Sequence, residues 1–156
     1  MKTRTPEEML GLLDLQLPER PPSTGLFVRT VRTGDIVFLS GHGPIRQGSP
    51  VFLGRVGDEL TLDDAREAAR QAVLCVLASL KEEVGELSRV NRIVKLLVFV
   101  SSTPEFVDQH LVADSASELI HQIFGLEKGS HARSAVGVAS LPFGFSVEIE
   151  MVAEVD

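Results

Sequence analysis

Two charged residues in the last quarter of the chain stand near the starts of apolar, β-prone runs. Arg133 precedes the run 134–141, and Glu148 is the second residue of the run 147–155. Charges rarely lie inside buried strands without a compensating partner. A carboxylate-binding site would explain them, because a guanidinium can bind a carboxylate through two parallel hydrogen bonds. Alternatively, Arg133 caps a strand end or forms a surface ion pair.

Other familiar kinds of site find little support in the sequence. The glycines between Gly41 and Gly57 do not form a phosphate-binding loop, and there is no Gly-x-Ser-x-Gly nucleophile motif. Cys75, the single cysteine, cannot form an intrachain disulfide and lies among apolar residues, which predicts a packed side chain. The four histidines lack the spacing of a zinc-binding helix, so no metal is expected. They are His42, His110, His121 and His131.

The composition is that of a soluble protein with one domain. The 156 residues are 44% hydrophobic and 24% charged, which suffices for a sizeable core. No apolar run is long enough for a membrane span, and the N-terminus lacks the apolar core of a secretory signal, so a cytoplasmic protein is expected. The formal charge of −7, with fifteen scattered lysines and arginines, disfavours nucleic acid as a partner.

The N-terminal segment predicts a short helix. Thr5-Pro6-Glu7-Glu8 has the form of a helix start, with Thr5 as the N-cap and Glu8 three residues later. The helix should continue to about Asp14, within a helical extension over residues 5–17. Pro18, Pro21 and Pro22 should then stop regular structure.

The next segment predicts a β-hairpin. Residues Leu26 to Arg32 alternate in polarity, Gly34-Asp35 suits a tight turn, and Ile36 to Ser40 suit the antiparallel partner strand. Residues 51–53 are a candidate for a third short strand.

Two long helices follow, separated by a strand. Thr61 is a suitable N-cap and Gly85 a suitable end for the first. Residues 93–100 are almost wholly apolar, as in a central strand that is covered on both faces. The second helix should start at Ser102 or Thr103, before Pro104, and end at Gly125. Strands over 134–141 and 147–155 complete the chain.

We therefore expect a single α+β domain over residues 1–156, with two long helices on one face of a mixed sheet. The other sheet face would be left uncovered and should be buried by another subunit. If the last two strands form a hairpin around Phe143-Gly144, Arg133 and Glu148 are offset by about five residues, or about 16 Å. The two charges would then have to come from different subunits to act on one small molecule.

Several motifs in order resemble the RidA/YjgF family, also labelled the endoribonuclease L-PSP family. They are His-Ala-Arg-Ser-Ala-Val-Gly-Val from His131, Leu141-Pro142, Val-Glu-Ile-Glu from Val147, and the segments 34–41, 85–90 and 93–100. The chain looks most like the longer subgroup, which has an extra N-terminal segment and a longer second helix. The resemblance implies a chorismate-mutase-like fold, a homotrimer whose sheets form a central barrel, and ligand sites between subunits.

The resemblance also implies an activity and residue roles. Family members of the 2-iminobutanoate/2-iminopropanoate deaminase type hydrolyse reactive enamines and imines, such as 2-aminoacrylate, to 2-oxo acids and ammonia without a cofactor. Arg133 matches the arginine that binds the substrate carboxylate, and Glu148 matches the glutamate that orders water or moves a proton. Gly41 and Ala135 match positions where backbone groups contact the ligand.

Three positions depart from the family pattern. Phe27 stands where the deaminases usually have tyrosine, and Ala135 replaces a frequent cysteine. Asp114 falls near a position that is often asparagine. Its charge either faces the anionic substrate or lies on a solvated helix face.

Three functions therefore remain open. An imine deaminase is favoured by the presence of both Arg133 and Glu148. A non-enzymatic trimer that binds a small carboxylate, as a metabolite sensor or partner module, is favoured by Phe27 and Asp114. The ribonuclease, or translation inhibitor, that gives the family its other name is disfavoured by the acidic total and the scattered basic residues.

Overall fold

Two long helices pack against one face of a five-stranded sheet in this structure, a computed structural model that describes residues 4–19 and 25–156. The helices are α1 (Pro6–Leu12), α2 (Leu62–Val84) and α3 (Gln109–Gly129). The strands are β1 (Thr30–Thr33), β2 (Ile36–His42), β3 (Ile45–Arg46), β4 (Ser49–Pro50), β5 (Val90–Ser101), β6 (Ala132–Val138) and β7 (Val147–Val155). The α+β architecture with both long helices on one side is confirmed.

The order in the main sheet is β1-β2-β7-β5-β6, and β3 and β4 form a separate two-stranded sheet. The pairs in the main sheet are antiparallel except β5 with β6, which are parallel. A parallel pair needs a long crossover between its strands, and α3 provides it.

The helix starts that the sequence predicts at Thr5 and Thr61 are confirmed. Each threonine forms a capping box, with Glu8 in the first case and Asp64 in the second. Gly85 ends α2 with a φ of 86°, a conformation that side chains with a Cβ rarely adopt.

The predicted start of the second long helix is wrong. The N–H of Ser102 donates to the Val138 carbonyl at 3.2 Å, and that of Thr103 donates to the Val56 carbonyl at 3.0 Å. These bonds continue the pairing of the preceding strand, so α3 begins only at Gln109. At the other end, Gly125 interrupts the helical backbone with a φ of 76°, and a further helical segment extends to Gly129.

Two predictions for the N-terminal strands also need correction. β1 begins at Thr30 rather than Leu26, because only the last part of that run pairs regularly with β2. The expected strand over 51–53 is replaced by β3 and β4, which are joined by Gln47 and Gly48 in positive-φ conformations typical of tight hairpin turns. The expected break at Pro21 and Pro22 lies outside the described residues.

The expected hairpin between the last two strands is wrong. β6 lies at one edge of the sheet, whereas β7 lies between β2 and β5. The crossover through α3 places β6 beside β5 and parallel to it. After the turn Pro142–Gly144, the chain continues as β7, which pairs with the opposite edge of β5. Sequence neighbours are therefore not sheet neighbours here.

The core lies between the helices and the sheet. Alternate residues of β7 from Val147 to Val155 are buried against the helices, whereas the residues between them point to the opposite face. That opposite face carries partly exposed apolar side chains, among them Phe38 at 50% and Val31 at 53% exposure. No helix within the described ranges is long and apolar enough to cross a membrane.

Candidate functional site

Arg133 lies on the edge strand β6 and is held by three residues of α3. Its Nη1 donates to Asp114 Oδ1 at 2.9 Å and to Ser117 Oγ at 3.0 Å, and its Nη2 approaches the His110 carbonyl oxygen at 3.5 Å. Residues spaced by three and four positions share one face of a helix, so α3 presents all three groups to Arg133. Asp114 therefore faces Arg133, and the two form an ion pair.

A recess of about 330 Å³ opens beside this ion pair. We call it the arginine recess, and it is lined by Asp114, Ser117, His121, Ser130, His131 and Arg133. Ala135, two residues further along β6, points to the same side of the sheet and packs against the core.

His131 fixes the hydroxyl group that helps to hold Arg133. Its Nδ1 lies 2.6 Å from the Gly129 carbonyl oxygen, and its Nε2 lies 2.9 Å from Ser117 Oγ. Because a carbonyl can only accept, Nδ1 carries a proton, and in the neutral ring Nε2 then accepts from the Ser117 hydroxyl. The Ser117 oxygen is then free to accept from Arg133.

The surroundings of His131 favour this neutral form. Burial lowers the pKa of His131, and the nearby His121 and Arg133 add to that effect, whereas the bond to the Gly129 carbonyl opposes it. The chain of hydrogen bonds from His131 through Ser117 to Arg133 is thus intact at neutral pH.

Glu148 occupies a different environment on β7. Its side chain is half-buried and forms no hydrogen bond or ion pair with residues 4–19 or 25–156. Burial raises the pKa of Glu148, and the charge of Glu150 raises it further. A carboxyl group in this state can exchange a proton closer to neutral pH than an exposed glutamate can.

Gly41 and Glu148 lie directly against each other, and we call this pair the glutamate cleft. A Cβ atom on residue 41 would overlap the Glu148 carboxyl group in its present position, so a larger residue there would displace that side chain. Phe27 precedes Val28, whose carbonyl accepts a hydrogen bond from Ser40 Oγ at 2.7 Å, and Ser40 precedes Gly41. Phe27 itself is 62% exposed.

The arginine recess and the glutamate cleft lie on opposite faces of the sheet. Arg133 is level with Leu96, which faces the helices, whereas Glu148 is level with Phe99 on the open face. Glu148 lies three residues before Met151, the β7 residue level with Leu96. The two sites are therefore displaced by about 10 Å along the strands and about 10 Å across them.

This geometry replaces the offset that the hairpin hypothesis predicted. The two charges are separated because their side chains point to opposite faces of the sheet and their strands lie two strand spacings apart. The separation does not come from an offset along a hairpin. One chain alone does not bring them to one small molecule.

Sequence reasoning assigned no role to Ser117 and placed His131 only in a motif. Two spacings in the sequence could have indicated these roles. Ser117 follows Asp114 by one helical turn, and His131 precedes Arg133 by two residues, a spacing that puts two side chains on one side of a strand. Their convergence depends on how α3 packs on β6. Among the described residues, no group of three or more His, Cys, Asp or Glu side chains could hold a metal ion.

Comparison with known families identifies the class of protein. The family described as "Endoribonuclease L-PSP" matches residues 18–155. The chain therefore belongs to this family, also called RidA/YjgF, and the resemblance found in its motifs is confirmed.

Individual relatives place it within the family. Protein TCP17 of Trypanosoma cruzi is 40% identical over 147 residues, which cover 94% of this chain and 92% of that protein. A 2-iminobutanoate/2-iminopropanoate deaminase of Dermatophagoides farinae is 27% identical over 142 residues, which cover 91% of this chain and 95% of that protein.

Solved structures agree with the fold. Protein Atu1372 of Agrobacterium tumefaciens, a protein of unknown function, superposes with a TM-score of 0.90 and 40% identity, covering 97% of this chain and 92% of that one. The YjgF gene product of E. coli superposes with a TM-score of 0.60 and 26% identity, covering 86% of this chain and 91% of that one.

Proposed function

We propose that this protein hydrolyses reactive enamine and imine carboxylates, such as 2-aminoacrylate, to 2-oxo acids and ammonia. The observation that carries the proposal is that one chain contains both a positioned guanidinium in an open recess and a half-buried carboxyl group with no hydrogen-bond partner among residues 4–19 and 25–156. Membership of the family, and similarity to a relative named as such a deaminase, support it.

Each residue would have a distinct role in the reaction. An enamine such as 2-aminoacrylate would first become the imine by gaining a proton at its CH2 carbon and losing one from nitrogen. Arg133 would bind the carboxylate of this imine and so hold the C=N carbon in place. Glu148 would take a proton from water as its oxygen adds to that carbon, and would then deliver a proton to the nitrogen. The C–N bond breaks as ammonia leaves and the C=O bond of the 2-oxo acid forms. Backbone groups of Gly41 and Ala135 would contact the ligand, and Phe27 would line the glutamate cleft.

The proposed active form is a homotrimer with sites shared between subunits. Arg133 and Glu148 lie on opposite faces of one sheet, so a second chain must supply one of them. The open sheet face supports the same assembly. Its partly exposed apolar side chains, Val31 and Phe38, lie beside a hollow of about 650 Å³ that another copy would cover.

A dehydratase reaction tests this function. The purified protein would be added to a threonine dehydratase that releases the imine, and imine decay would be followed by absorbance. We expect decay to accelerate with the wild-type protein. Arg133→Lys should reduce the acceleration about ten-fold, because lysine cannot bind a carboxylate through two parallel bonds.

The matched control is Arg92→Lys, since Arg92 is an exposed residue of β5 outside both sites. It should leave the rate unchanged. A folded wild-type protein that leaves imine decay unaltered would rule out the deaminase.

A non-enzymatic carboxylate-binding protein is the second candidate. The observation that favours it is the ion pair, in which Asp114 already occupies part of the Arg133 guanidinium. Binding of 2-oxobutyrate without any effect on imine decay would support this alternative.

A further inference from the structure

The charged side chains that line the arginine recess are one of each sign. Arg133 and Asp114 form the ion pair, and burial lowers the pKa of His131, which favours its uncharged ring. A simple carboxylate that enters the recess therefore meets the negative charge of Asp114 as well as the positive charge of Arg133. Its approach to Arg133 brings it close to Asp114 as well.

Both members of the ion pair have an unused side. The pair joins Nη1 to Oδ1, whereas Nη2 has only the long contact with the His110 carbonyl at 3.5 Å. Asp114 Oδ2 has no hydrogen bond to any residue of the described ranges. The two side chains keep 24% (Arg133) and 44% (Asp114) of their surface exposed, so a ligand can reach both.

A ligand with separated charges would match this arrangement. Its carboxylate would bind the Nη2 side of Arg133, and an adjacent cationic nitrogen would face Asp114 Oδ2. The protonated form of an imine carboxylate has these two charges on neighbouring carbons. The 2-oxo acid formed by hydrolysis keeps the carboxylate but has lost the positive nitrogen.

We infer that Asp114 is a specificity-determining residue that favours 2-iminium or 2-ammonium carboxylates over 2-oxo carboxylates of the same size. The inference rests on the proposed function, because it takes Arg133 as the group that binds the substrate carboxylate. Asp114 would attract the protonated substrate and repel the anionic product, which would assist product release.

Two stable ligands with one carbon skeleton test the inference. L-2-Aminobutyrate carries an ammonium group where 2-oxobutyrate carries an oxygen, and neither is consumed by the proposed reaction. Calorimetry would give Kd for both ligands with the wild-type protein and with Asp114→Asn, which removes the charge at nearly constant size. We expect the substitution to weaken 2-aminobutyrate binding about five-fold and to tighten 2-oxobutyrate binding about two- to five-fold.

Two further variants control for other effects of the substitution. Glu118→Gln removes an exposed charge one turn later on α3, outside the arginine recess, and should leave both Kd values unchanged. Asp114→Glu keeps the charge and should keep the preference for the amino acid. If the ratio of the two Kd values is the same in wild type and Asp114→Asn, Asp114 does not select the ligand.

The proposed function can fail separately in the same experiment. Arg133→Lys should weaken both ligands if Arg133 binds the carboxylate, whatever Asp114 does. Unchanged binding of both ligands by Arg133→Lys would reject the carboxylate site itself. A wild-type protein that binds neither ligand would reject both ideas.

Discussion

The arginine recess and the glutamate cleft are different environments for a charged side chain. In the recess, Arg133 is held by Asp114 and Ser117, and Ser117 is held in turn by His131. In the cleft, Glu148 lies over Gly41 and has no polar partner within residues 4–19 and 25–156. The first environment fixes a charge in position, and the second makes a charge costly. The proposed function uses the first environment to bind a substrate carboxylate and the second to exchange protons.

The largest effect is expected from removing Arg133 or Glu148, and mixing the two variants tests whether the arginine recess of one chain acts together with the glutamate cleft of another. Arg133→Ala and Glu148→Ala proteins should each lose about 100-fold or more of the activity. If each site takes Arg133 from one subunit and Glu148 from another, refolding equal amounts together should restore about one quarter of wild-type activity, because random assembly leaves both groups intact in that share of sites.

A second mixture provides the matched control. Wild type refolded with an equal amount of the Arg133→Ala/Glu148→Ala double variant should also retain about one quarter of the activity when sites are shared. If one chain supplied both groups, the first mixture would stay inactive, whereas the second would retain about one half.

A smaller effect is expected from crowding the glutamate cleft alone. In Gly41→Ala the added methyl group overlaps the Glu148 carboxylate and must displace it. We expect turnover of the imine to fall at least ten-fold, since small displacements of a reacting group are costly, while 2-oxobutyrate binding changes less.

Gly11→Ala is the control for this substitution. A Cβ atom at position 11 meets no atom within 4 Å, and alanine is favoured over glycine in a helix such as α1. That variant should keep full activity. Full activity in a folded Gly41→Ala protein would show that the position of Glu148 does not matter for turnover.

The smallest effect concerns acid, to which the two regions should respond with opposite signs. The pKa of His131 is lowered, so the unfolded chain takes up this proton more readily, and its contribution to stability falls as the pH drops below the ordinary value of 6.5. The pKa of Glu148 is raised above 4.5, so its burial destabilises the fold at neutral pH. This penalty decreases as the pH falls through the raised pKa and is lost below 4.5.

Urea unfolding at pH 7.5 and 5.5 separates the two effects. His131→Gln should reduce the loss of stability between these pH values relative to wild type. Glu148→Gln should be more stable than wild type at pH 7.5, with a smaller difference at pH 5.5. The carboxyl groups of Glu59 and Asp64, whose pKa values are lowered by hydrogen bonds, contribute their pH dependence below this window. A Glu148→Gln protein less stable than wild type at pH 7.5 would contradict the assigned environment.

The local sequence determined much of the secondary structure and the identity of the two key charges. The capping boxes at Thr5 and Thr61 form between residues three positions apart. The alternation in 147–155 also identifies β7 and the side to which Glu148 points relative to its neighbours. Several motifs in order, among them the one around Arg133, indicated the family that the match over residues 18–155 confirms.

The tertiary structure decided which strands pair and therefore where the charges lie. The local sequence of β6 and β7 does not indicate that β5 lies between them. Their proximity in the chain predicted a hairpin instead. The late start of α3 likewise depends on bonds from Ser102 and Thr103 to distant carbonyl groups. The opposite orientation of Arg133 and Glu148, and the support of Arg133 by Ser117 and His131, follow from these long-range contacts. A cap or an alternating strand is specified by neighbours in sequence, whereas strand order depends on how all the apolar faces are buried together.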